Sequence, residues 1–103
     1  LEFRRVLFRS DLVICLSHLG YDYKKSDENK ISDLKLAQKT QDIDLIIGGH
    51  THTFLDKPTV VKNAAGQEVL VNQVGCYGIH LGRIDFYFDS NKQNIAKGKA
   101  IVV

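Results

Sequence analysis

Three of the four histidines stand where they could hold a metal ion. His18 follows one apolar run, in Ser17-His18-Leu19-Gly20, and His50 and His52 follow another, in Gly48-Gly49-His50-Thr51-His52. Imidazole suits Zn, Mn, Fe, Co or Ni, so the residue type points to a divalent transition metal without choosing one. Two imidazoles two residues apart fall on one side of an extended segment, with Thr51 turned away and available to hydrogen-bond the loop. Gly48 and Gly49 are expected to let the chain turn tightly, so that His50 points back over the strand before it. His18 alone would read as a satisfied polar residue near the surface. Two motifs in the same relation to their strands carry the metal reading.

The elements that would position these side chains are legible around them. Residues 12–16 and 43–47 are short apolar runs, the pattern of strands buried on both faces. Between them Ile31, Leu34 and Ala37 recur at helical spacing, with Leu36 widening the stripe. Asn29 or Ser32 can cap this helix, and it should end near Thr40. Strand, helix, strand is a βαβ unit, which implies a parallel pair joined by a right-handed crossover. Parallel strands end at one edge of a sheet, so His18 is expected to face His50 and His52.

The rest of the chain is β in character. Residues 59–62 and 68–72 flank Asn63-Ala64-Ala65-Gly66, a hairpin pattern with a glycine-containing turn. Residues 81–88 alternate, with Ile84, Phe86 and Phe88 against Arg83, Asp85 and Tyr87. Ser90-Asn91-Lys92 reads as another turn, and 100–103 as the start of a further strand.

Bulk properties bound the function. The 103 residues are 44% hydrophobic, which suits one small globular unit. Fourteen basic residues against twelve acidic ones leave a net charge of +2, with no basic stripe, which argues against nucleic acid as a partner. No apolar run approaches the roughly 18 residues of a membrane span. Cys15 reads as a small buried hydrophobe and Cys76 as a loop residue, and their spacing favours no disulfide. The chain has no methionine and opens on Leu1, so it is expected to be part of a longer protein. Residues 1–10 mix basic and apolar types without periodicity and are expected to be a cloning or assembly artefact, leaving 11–103 as the domain portion.

The two histidine motifs, Leu16-Ser17-His18-Leu19-Gly20 and Ile43-Asp44-Leu45-Ile46-Ile47-Gly48-Gly49-His50-Thr51-His52, resemble the last two metal-binding motifs of calcineurin-like metallophosphoesterases. The closer resemblance is to the 5′-nucleotidase branch, whose glycine-spaced segment is similar to residues 73–85. The likeness runs from residue 11 to about 90. It implies an α/β fold, the C-terminal part of a four-layer αββα sandwich. His18 and His50 would bind one divalent ion and His52 another, two ions in all, drawn from Zn, Mn, Fe or Co.

The activity implied is hydrolysis of a phosphate monoester, a nucleoside 5′-monophosphate by branch, through two-metal activation of water without a covalent intermediate. The family's Asp-x-His, Gly-Asp and Gly-Asn-His-Glu/Asp motifs do not occur here, so no catalytic residue is assigned within this chain. Alone it is expected to be inactive, and loosely folded or prone to aggregate. The resemblance also implies a separate or following 5′-nucleotidase C-terminal domain as partner, and a periplasmic or cell-surface location.

Other residues invite chemistry less strongly. His80 lies outside both motifs and is read as structural. Asp22, Asp27, Glu28 and Asp33 read as a solvated loop and a helix start, where acids complement the dipole. Tyr21 and Tyr23 need no stacked base to explain them, and Lys24-Lys25 lacks a glycine-rich phosphate cradle. The alternative function is a non-catalytic metal-binding or interaction domain derived from the same fold. Structural zinc sites are usually closed by four ligands, often thiolates, whereas Cys15 reads as buried in the strand before His18 and Cys76 lies in a loop far from both motifs.

Overall fold

A computed structural model describes residues 10–25, 29–88 and 94–103. The expectations for the opening segment through residue 9, for Asp27 and Glu28, and for the turn at 90–92 fall outside the described residues. Strand β1 (Ile14–Leu16), helix α1 (Asp33–Lys39) and strand β2 (Leu45–Ile47) form the βαβ unit, with β1 and β2 parallel and Ile14 opposite Leu45. Strands β3 (Thr59–Lys62) and β4 (Glu68–Asn72) make the antiparallel hairpin, and β4 joins β2 in parallel. The sheet order is therefore β1-β2-β4-β3. A second, two-stranded sheet pairs β5 (His80–Phe88) with β6 (Asn94–Val102) over their full lengths. The strand expected to begin near residue 100 thus begins six residues earlier.

Helix α1 starts where its cap predicts. Ser32 has extended backbone angles, and its hydroxyl accepts from the Lys35 N–H at 3.2 Å, satisfying one of the donors a helix start leaves open. Asp33 occupies the first turn and Lys39 the last, each complementing the helix dipole. At Thr40 the backbone turns extended and the helix stops.

One face of the four-stranded sheet carries the core. Ile46, Val69 and Val71 are almost fully buried against Ala37 and Ile43, with Leu34, Leu36, Tyr21, Cys15 and Val61 packed around them. Truncating Ile46 to alanine there costs about 2–5 kcal/mol. The alternate residues point to the opposite face, where Ile14, Leu16, Ile47 and Val60 are exposed. The expectation that the first strand is buried on both faces is therefore corrected. β1 is the edge strand of its sheet, and only the face bearing Cys15 lies against the core cluster.

The β3–β4 turn is fixed by a side chain. Asn63 Oδ1 accepts from the Ala65 and Gln67 N–H groups, both at 2.9 Å, and Gly66 supplies the positive φ of 77° that closes the turn. Beyond β4, the chain segment 53–55 runs back along residues 73–75. Leu55 N–H donates to the Gln73 carbonyl and Gly75 N–H to the Thr53 carbonyl, each at 2.9 Å. This return pass carries the histidine loop.

Candidate metal centre

The ladder holds both strand ends beyond the strands themselves. Ser17 N–H donates to the Ile47 carbonyl and Gly48 N–H to the Asn72 carbonyl, each at 2.9 Å. His18 is thus two residues past β1 and His50 three past β2, at the carboxyl edge of adjacent parallel strands. That edge is where open α/β sheets place their ligands.

There the structure brings His18 and His50 together. Their ring centroids are 5.0 Å apart with planes inclined at 66°. Two imidazoles sharing one ion bind through nitrogens about 2.0–2.1 Å from it, which sets their ring centres roughly 4.5–5 Å apart. Both rings are exposed and so open to an ion from solution. Gly49 keeps the space between the motifs, because a Cβ there would stand 3.3 Å from His18 Nδ1. The donor chemistry and the spacing both fit a divalent transition metal. His52 is exposed too, but its ring faces Tyr77, with centroids 6.4 Å apart, rather than the other two histidines. Among the described residues, no three His, Cys, Asp or Glu side chains gather at one point.

The loop differs from its expected form in one respect. His50 and His52 do not lie in an extended segment: their φ values are 75° and 54°, both left-handed. Gly48 and Gly49 have no positive φ and serve for space instead. A Cβ on Gly48 would collide with Asp33 Oδ2, just as one on Gly49 would crowd His18. The tight turn therefore falls on the histidines themselves, with the Thr51 N–H closing onto the Gly49 carbonyl at 3.0 Å. Left-handed non-glycine residues cost about 1–3 kcal/mol each and persist only where surrounding bonds fix them.

Those bonds are present. Thr51 Oγ1 accepts from the Tyr21 N–H at 3.0 Å and pairs with Thr53 Oγ1 at 2.8 Å, so the residue between the histidines secures the loop. Gln73, which the sequence marks only as part of a glycine-spaced segment, reaches the same loop from below. Its Oε1 accepts from the Thr53 N–H at 2.6 Å.

Asp33 stands at the helix start, as expected, but it is not solvated. It is buried and accepts from Ser17 Oγ at 2.5 Å, while its Oδ2 has no partner. Burial pushes its carboxyl above the usual carboxylate range, and the Ser17 bond offsets part of that rise. Burial also raises the Cys15 thiol, with the nearby Asp33 charge adding to it.

His80, Tyr21 and Tyr23 have structural partners. His80 stacks on Phe54 with centroids 4.2 Å apart. Tyr21 Oη shares a hydrogen with Thr59 Oγ1 at 2.7 Å, and Tyr23 Oη donates to the Leu19 carbonyl at 2.6 Å. Both cysteines are free thiols. The roles of Asp33 and Gln73 had no signal in the sequence, because an acid at a helix start and a glutamine after a strand are commonplace.

Known proteins resemble this chain in sequence and in fold. No family model matches the chain. The trifunctional nucleotide phosphoesterase YfkN of Bacillus subtilis (strain 168) is 46% identical over 77 residues, covering 75% of this chain and 4% of the relative. A snake venom 5′-nucleotidase from Gloydius brevicauda is 31% identical over 98 residues, covering 82% of this chain and 15% of the relative. The crystal structure of a 5′-nucleotidase precursor from Thermus thermophilus superposes with a TM-score of 0.78 at 33% identity. The match covers 97% of this chain and 20% of that one.

The mixed sheet with its strand-end histidines is part of an α/β metallophosphoesterase domain. The chain belongs to the 5′-nucleotidase-like branch of that family. It spans only 4% to 20% of the length of these three proteins.

Proposed function

We propose that this chain supplies part of the metal centre of a hydrolase acting on nucleotide phosphoesters, with nucleoside 5′-monophosphates as the substrate class. The observation that carries the reading is the pairing of His18 with His50, ring centres 5.0 Å apart, at the ends of adjacent parallel strands. The names of the relatives, nucleotide phosphoesterase and 5′-nucleotidase, support the substrate class.

In this reading His18 and His50 hold one divalent ion and His52 a second. Zn, Mn, Fe and Co all suit imidazole donors. Bound there, such ions supply Lewis acidity to phosphoryl oxygens and acidify water. The chain's own contribution is positional: stiff strand ends present the imidazoles, and the left-handed loop keeps them exposed to an approaching substrate. The further ligands come from elsewhere in the full-length protein, and residues 11–103 alone do not turn over substrate. A separate or following C-terminal domain as partner and an exported location belong to the same proposal. A venom enzyme among the relatives and a precursor among the solved structures support export.

The test uses the full-length protein as wild type and as His50→Ala. Phosphate release from a nucleoside monophosphate is followed after chelation and after adding back Mn(II), Co(II) or Zn(II). Loss of metal-restored hydrolysis in His50→Ala is the expected result. Wild-type turnover by His50→Ala removes the reading. Metal binding without hydrolysis by the wild type would leave the non-catalytic metal-binding domain instead.

A further inference from the structure

Among the described residues that are not candidate ligands, Gln73 reaches the histidine loop at three points. Its side chain is buried, 3% exposed, beneath the return pass that carries the loop. Nε2 donates to the Gly49 carbonyl at 3.1 Å, and Oε1 accepts from Thr51 Oγ1 at 3.4 Å and from the Thr53 N–H at 2.6 Å. One bond falls before His50, one between the two histidines and one after His52. The amide can adopt only this orientation. Turned over, it would set a donor against the Thr53 N–H and an acceptor against the Gly49 carbonyl.

The base of this clamp is rigid. Gln73 follows β4 directly, and its own carbonyl accepts from the Leu55 N–H at 2.9 Å. The loop above is not relaxed, since His50 and His52 both hold positive φ. A conformation that costs energy at two residues needs fixed partners to persist. Gln73 provides them at both flanks, and Thr51 extends the network to the Tyr21 N–H beyond the His18 motif.

We propose that Gln73 is a positioning residue for divalent-metal binding, its buried amide holding His50 and His52 in the left-handed form that presents their imidazoles at the sheet edge. The inference rests on the metal-centre reading above. Gln73 touches no ion and no substrate; it acts through the backbone on either side of the ligands. Partners of this kind, one step behind the ligands, commonly set 10- to 100-fold in metal affinity.

The full-length protein is prepared metal-free as wild type, Gln73→Met, Gln73→Glu and His50→Ala. Each is titrated calorimetrically with Mn(II) alone, and thermal unfolding of each metal-free form is recorded alongside. Gln73→Met keeps the volume and loses all three bonds, so Mn(II) binding weakens about 10- to 100-fold. Gln73→Glu keeps the acceptor for Thr53 but faces Gly49 with an oxygen, and falls between Gln73→Met and wild type. Wild-type affinity in Gln73→Met, whatever its melting temperature, makes Gln73 merely structural and overturns the inference. Should Gln73→Met fail to fold, wild-type affinity in Gln73→Glu overturns it equally. Undiminished Mn(II) binding by His50→Ala instead overturns the metal-centre reading on which the inference stands.

Discussion

Ser17 Oγ donates to Asp33 Oδ1 at 2.5 Å, joining the residue before His18 to the first residue of α1. The same carboxyl lies against Gly48, two residues before His50. One buried acid therefore touches both strand ends from which the candidate ligands leave. The Asp33 N–H adds a third tie by donating to the Gly20 carbonyl at 2.8 Å.

Asp33 gives stability a definite dependence on pH. Burial raises its folded-state pKa above the ordinary 3.8. Below that ordinary value the group is protonated in both states and its contribution is complete. As pH rises, the unfolded chain releases the proton first, so stability falls until the folded group has ionised as well. Asp33→Asn keeps an acceptor for Ser17 and cannot ionise. Relative to wild type its melting temperature should therefore climb through the acidic range and level off above it. Melting curves of both proteins against pH check this, and parallel curves would show that Asp33 ionises normally.

Gly48→Ala tests the packing between Asp33 and the second strand end. The added methyl would collide with Asp33 Oδ2 and would stand 3.5 Å from Gln73 Nε2. Overpacking of this kind costs about 1–3 kcal/mol. Urea unfolding is expected to show a lower midpoint with an unchanged slope. A midpoint equal to wild type would mean the site yields more freely than the geometry allows.

Asn63 is the stability test farthest from the metal centre. Its Oδ1 holds two backbone N–H groups in the β3–β4 turn, and the residue is only 8% exposed. Asn63→Ala strands both donors and should cost about 1–3 kcal/mol. Asn63→Asp retains the acceptor and should cost less. Denaturant midpoints rank the three proteins, and an alanine variant as stable as wild type would mean water replaces the side chain without loss.

Much of the architecture was legible because it is local. Two short apolar runs around a helical stripe are enough to specify a βαβ unit. The strand-like runs 59–62 and 68–72 on either side of Asn63 and Gly66 are enough for a hairpin. The strand-end placement of His18, His50 and His52 follows from that unit alone, since parallel strands share one carboxyl edge. Their identity as histidines limits the ligand chemistry without any coordinates.

What the tertiary structure decided depends on contacts between distant segments. Local pattern assigned the tight turn to Gly48 and Gly49, yet the positive φ values fall on His50 and His52. Long-range bonds from Gln73 and Tyr21 stabilise a conformation that local preference disfavours. Asp33 looked like a solvated helix start and proved buried, because Ser17 and Gly48 meet it only after the crossover has folded back. The first strand looked buried on both faces and proved an edge, because an apolar run reports hydrophobicity and not which of its faces is covered. Sequence determined which residues are the candidate ligands and at which edge they stand. Only folding decided that His18 pairs with His50, that His52 turns towards Tyr77, and that Gln73 lies beneath the loop.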